Sequence, residues 1–117
     1  MNRTRGLFWT VACSVALVGT ALGHHGWTGY NEEIQKLSGT IEEASYANPH
    51  GSIQLKTSEK TWEVILAPPA RMTSRGLTQD MLKVGTNATV EGYRSTSDEK
   101  EMRAERISVA GKTIELR

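Results

Sequence analysis

Pro68-Pro69 cuts the chain's strand-like patterning into two unequal parts. Neither proline can donate to a sheet ladder, so any sheet must be interrupted there. Before the break, apolar residues recur with a period of two. Leu37, Ile41 and Ala47 share one face of a first strand over 37–47, with Ser38, Thr40 and Glu42 on the other. Asn48-Pro49-His50-Gly51 then reads as a turn, with asparagine first, proline second and glycine last. Ile53 to Thr57 and Trp62 to Leu66 give two more strands around the polar connection Ser58-Glu59-Lys60. After the break, Ala70 to Arg75 followed by Gly76 predicts a short helix with a glycine just past its end. Thr78 is placed to cap a further turn carrying Met81 and Leu82. Ala88 to Tyr93, Arg103 to Val109 and Thr113 to Leu116 are the remaining strands, and Ser95 to Glu101 is a solvated loop. Three strands, a helical connection, two strands and a terminal hairpin partner is the order of a five-stranded OB-type barrel. The fold class expected is therefore all-β with one short helical connection, the barrel domain covering residues 37–117. A β-sandwich needs more strands than this.

The N-terminus has a different grammar. Arg3 and Arg5 precede an apolar run of 16 residues from Leu7 to Leu22, and Ala21-Leu22-Gly23 ends in small residues at the −3 and −1 positions. That is the three-part pattern of a secretory signal over residues 1–23. The run is shorter than the roughly 20 apolar residues of a spanning helix, so no membrane anchor is expected after cleavage. Thr10-Val11-Ala12 lacks the leucine that a lipoprotein signal places before Cys13. Cleavage after Gly23 removes two arginines and the single cysteine, taking the formal charge from +1 to −1. A near-neutral chain with interspersed charges has no electrostatic footprint for nucleic acid. The expected compartment is periplasmic or extracellular, with a cell-envelope ligand or a protein as the partner class. Residues 24–36 read as an extended arm, whose Trp27 and Tyr30 are expected to cover one end of the core.

Cleavage there makes His24 the first residue, with a free α-amine beside its imidazole. Amine and ring can close a chelate on one metal ion, and neutral nitrogen donors favour copper(II) among divalent metals. His25 follows directly, and His50 in the turn is the remaining histidine. The metal-ligand candidates are thus His24, His25 and His50, with copper the favoured ion, and Glu32 or Glu33 able to add an oxygen if the arm folds back. Acid–base or nucleophilic catalysis finds no motif: there is no Gly-x-Ser-x-Gly elbow, and Glu42-Glu43, adjacent on a strand, are expected on opposite faces. The chain therefore reads as a binding protein before an enzyme. A different class of reading is a metal-free binding module, in which Tyr46, Asn48, Trp62 and Tyr93 form a ligand face and the rings stack on a sugar or base. Core packing is the competing role for those aromatics.

His24-His25, Gly39-Thr40-Ile41, Asn48-Pro49-His50, Trp62, Arg75-Gly76, Lys83-Val84-Gly85 and Val90-Glu91-Gly92-Tyr93 together carry a resemblance over nearly all of residues 23–117. On these the chain resembles a family of small exported bacterial proteins known as a domain of unknown function (DUF6152-like). Two positions depart from that pattern: Tyr46 stands where the family often has tryptophan, and Asn31 where it often has aspartate. The second removes a carboxylate from the arm. The resemblance implies export and a small barrel, and it implies no particular activity.

Overall fold

A computed structural model describes residues 27–117. Strand β1 spans Tyr30–Ser45, β2 Ser52–Lys56 and β3 Thr61–Ile65; helix α1 spans Pro69–Ser74, and a 3-10 turn spans Gln79–Leu82. Strands β4, Asn87–Ser95, β5, Glu101–Val109, and β6, Lys112–Glu115, complete the chain. The sheet order is β3-β2-β1-β4-β5-β6, and a further parallel pairing of β3 with β5 closes the first five strands into a ring. β6 pairs with β5 outside that ring. This is the expected barrel: three strands, a helix, two strands and a terminal partner.

Register explains why alternation was readable. Leu37, Val90, Ile107 and Ile114 stand in one cross-strand row over β1, β4, β5 and β6, and all but the partly buried Leu37 are buried. One residue along, Ser38, Thr89, Ser108 and Thr113 form the next row on the outer face, their hydroxyls meeting in pairs at 2.8 Å. Successive side chains point to opposite faces, so one row is core and the next is surface. Met72, the buried residue of α1, joins Leu77 and Leu82 in the same core cluster as the strands, so the helical connection plugs the barrel end. Gly76 follows α1 at φ +91, as its place after the helix predicts.

Two expectations are corrected. The first strand begins at Tyr30, not Leu37, so residues 30–36 of the expected arm belong to the sheet, with Tyr30 and residues 34–36 paired to β4. Tyr30 pairs with Ser95 and Ile34 with Tyr93, leaving residues 31–33 as an irregularity that hides the alternation. Ala47 lies beyond β1 and is exposed, not on the Ile41 face. A bulge between Ile41 and Glu43 inserts one residue against β2, which shifts the phase of everything after it. Glu42 and Glu43 are consequently both exposed.

Candidate functional site around Trp27

The turn at Trp27–Gly29 is held to the barrel by its backbone: the N–H of Thr96 donates to the Gly29 carbonyl at 2.7 Å and its hydroxyl to the same oxygen at 2.9 Å. The Trp27 ring meets Tyr93 edge-on, centroids 5.4 Å apart at 90°, and Tyr30 at 6.3 Å and 65°. The guanidinium carbons of Arg103 and Arg117 lie 4.7 Å and 5.1 Å from the Trp27 ring centre. Each such contact favours the ring face through its quadrupole. Neither Trp27 nor Tyr30 joins the core cluster. The expectation that they cover an end of the core gives way to a separate aromatic and cationic cluster on the outer face. Ile65, paired with Arg103 across β3 and β5, is buried yet also outside the core cluster.

Carboxylates fix the surrounding groups. Tyr30 Oη donates to Glu101 Oε2 at 2.6 Å, and Tyr93 Oη donates to Glu105 Oε2 at 3.2 Å. Glu105 also accepts from Arg117 Nη1 at 3.3 Å. Its position is set by a bulge in β5, where Glu91 pairs with Arg106 and the next residue, Gly92, with Ala104. The extra residue turns Glu105 and Arg106 outward side by side, and Arg106 then bridges Glu91, Glu105 and Glu115.

Burial, then the hydrogen bond and charge of Glu101, push the Tyr30 phenol up to about 12. Burial and then Glu105 raise that of Tyr93. The folded Tyr30 value exceeds the unfolded one of about 10. The stability tied to this group is therefore whole below about pH 10 and lost as pH rises through about 12. An absorbance titration should show one tyrosine ionising near pH 12. Glu101→Gln should bring it only partway down, because burial is the larger cause. Complete ionisation of all tyrosines by about pH 11 would show that Tyr30 is not held as described.

The sequence candidates are placed apart. His24 and His25 lie outside the described residues. His50 is exposed in the connection between β1 and β2, beside a cis Asn48–Pro49 peptide and an exposed Asn48. The backbone after it is pinned: Gly51 N–H donates to Ala67 O at 2.9 Å, and Gly51 O accepts from Leu66 N–H at 2.8 Å. Among the described residues no group of three or more His, Cys, Asp or Glu could hold a metal ion. Among those same residues no helix is long and apolar enough to cross a membrane.

The aromatic ligand face does not assemble. Trp62 is 4 % exposed in the core cluster, with Lys60 Nζ 4.1 Å from its ring centre. Tyr46 Oη donates to Leu77 O at 2.6 Å and meets Thr73 Oγ1 at 2.9 Å, strapping the end of β1 to the helical connection. Tyr93 faces Trp27, and the cleft they line with Tyr30 and Arg117 is only about 60 Å³, too small for a sugar ring. The residues that sequence reasoning missed are Arg103, Glu105 and Arg117. On an outer strand face, alternating charges look like an ordinary solvated surface, and nothing in the sequence marks the bulge.

Residues 11–103 match the family model described as "Family of unknown function (DUF6152)". The chain belongs to that family. No curated protein matches it. Among solved structures, it is similar to part of the TiaS protein in the crystal structure of its complex with an isoleucine tRNA and ATP, at 18% identity and a TM-score of 0.50. The match covers 74% of this chain and 19% of that one. The likeness is one of fold.

Proposed function

We propose that this family member is exported, cleaved between Gly23 and His24, and binds copper(II) through the amine and imidazole of His24, with His25 and His50 as further ligands. The observation that carries the reading is a register row. Ser52, Ile65, Arg103 and Tyr93 stand opposite one another across β2, β3, β5 and β4. Trp27 packs on the last two. Strands are spaced by about 4.8 Å, so Ser52 lies roughly 10 Å from Arg103. The three residues from Trp27 back to His24 span up to about 10 Å, and His50 is two residues before Ser52. Anchor and turn are thus within each other's reach. A metal-free module for an envelope ligand has less support, since Tyr46, Trp62 and Tyr93 are all engaged within the fold.

Copper competition titrations of three forms of the processed chain test the proposal: native, extended by one residue before His24, and His50→Ala. The extended form should bind more weakly because its terminal amine is moved off the chelate. His50→Ala should bind more weakly by on the order of tenfold to a hundredfold, at least the cost of losing an outer-shell partner. Affinity should fall as pH drops through about 6.5, where protons compete for imidazole nitrogen. Equal affinity in all three forms would falsify the site. Loss in the extended form alone would keep the terminal chelate and return His50 to a turn residue.

A further inference from the structure

We infer that the open edge of β1 pairs antiparallel with the same edge of a second copy of this chain, about a two-fold axis at Ile34. The seam needs no metal. β1 is 16 residues long, yet only its stretch from Thr40 to Ser45 pairs with β2. Tyr30 and residues 34–40 pair with β4 on the other side. Among the described residues, Asn31 to Ser38 thus have no strand partner on the β2 side. The direction of their free groups follows from Ile41. Its N–H donates to Thr86 O at 2.9 Å and its carbonyl accepts from Gly85 N–H at 2.8 Å, both on the β4 side. Pairing from Ile34 to Thr40 is unbroken. Successive residues alternate in direction, so the N–H and C=O of Ile34, Lys36 and Ser38 point to the open edge. Such an edge is a template for another strand. The outer edge of β6 is not equivalent, because Arg75 Nη1 already donates to the carbonyls of Glu115 and Arg117, each at 2.8 Å.

Side chains select the occupant. Ser38 is on the outer face, so Lys36 and Ile34 share that face. Glu32 borders the cleft that Trp27, Tyr93 and Arg117 line there. Ile34 is 44% exposed, one of two large apolar residues left so among the described residues. Across the sheet, Lys36, Glu91, Arg106 and Glu115 stand in one row of alternating sign. Arg106 bridges the glutamates on either side of it, whereas Lys36 ends the row at the open edge. Among the described residues neither Lys36 nor Glu32 belongs to an ion pair. With Ile34 opposite Ile34 of the second copy, residue 32 falls opposite residue 36 twice, because a two-fold contact is self-complementary. Each Glu32 then continues the other copy's charge row with the acid it lacks. The two isoleucines cover one another, each beside the Tyr93 of its own chain. An axis at residue 32, 33 or 36 would set like charges directly opposite, which is destabilising. An axis at residue 35 would set Lys36 against Ile34 and form no charge pair. Charges on an edge ordinarily deter pairing; here their spacing favours one register.

The experiment follows self-association of the processed chain by sedimentation equilibrium from about 1 µM to about 1 mM, with a chelator present so that no metal bridges copies. The seam is short, so a weak, reversible dimer is expected. Glu32→Lys and Lys36→Glu each turn two attractive pairs into two repulsive ones, and each should weaken association roughly tenfold. Mixed in equal amounts, the two variants should associate about as well as the native chain, because every charge pair across the seam is again lysine with glutamate. A change that merely disturbed the barrel would not be rescued by mixing. Hydrogen exchange reads the register. The amides of Ile34 and Lys36 should slow as concentration rises, while those of Gln35 and Leu37, directed at β4, should not change. Equal association of the native chain and both single variants overturns the seam. So does a monomer at every concentration with fast exchange at Ile34 and Lys36. A monomer in which those amides exchange slowly overturns the second copy as the occupant, since the chain then covers its own edge. Association that leaves the two amides unprotected overturns the strand pairing.

Discussion

Gly39→Ala should destabilise the protein by at least about 3 kcal/mol, and Gly92→Ala by a similar amount. A Cβ built on Gly39 would lie 2.2 Å from the Lys56 carbonyl oxygen, and one on Gly92 would lie 2.1 Å from that of Arg103. Both obstacles are backbone, so no rotamer change relieves them. The cause is the shape of the barrel. Around Gly39 and Thr40, β1 passes from pairing with β4 to pairing with β2, and Gly92 sits opposite the β5 bulge that presents Glu105. Close strand approaches at such corners leave room for hydrogen alone. Urea denaturation of each variant is the measurement. A native midpoint for Gly39→Ala would mean that β1 does not cross β2 at this distance.

Met72→Ala should cost about 2–5 kcal/mol, the range for emptying a fully buried long side chain. Met72 has no exposed surface and sits with Leu77 and Leu82 in the core cluster, where the helical connection closes one end of the barrel. Tyr46 ties the same segment to β1 through Leu77 and Thr73. Loss of Met72 should therefore lower the single cooperative melt of the whole domain and not merely fray α1. A second, earlier transition confined to the helix would contradict that. For comparison, the ion pairs around Arg106 are partly exposed to solvent. Deleting Arg106 should cost far less than either change, because exposed ion pairs are screened by solvent and contribute little.

Much of the barrel was legible because its strands obey a two-residue period and its prolines stop β3 where the ring needs a connection. Val90, Ile107 and Ile114 could be read as inward from their neighbours alone. What escaped was every place where the period slips. Residues 31–33 bulge away from β4, so Glu32 and Glu33 disguised sheet as arm. The bulge after Ile41 moved Ala47 off the face assigned to it. The third slip produced the Trp27 cluster, by setting Glu105 beside Arg106. Trp62 is a different kind of miss: its two-residue spacing from Val64 already argued for the core, against a role as a stacking platform. Of the proposed metal ligands, His50 is described as an exposed turn residue, whereas His24 and His25 fall before the first described residue.

The double pairing of β1 also sets an order of assembly. Its second half meets β2 through a short connection, a local event, whereas its first half waits for β4, with Ile34 facing Tyr93 and Lys36 facing Glu91. The ring is sealed only when β5 reaches β3, Glu101 beside Glu63. Pairings this distant in sequence are slow, because the intervening loop loses entropy before any contact stabilises it. A chain emerging N-terminus first would thus carry Trp27 to Tyr30 unplaced until β5 and Arg117 had followed. The earliest of the described residues are the last to find their seat.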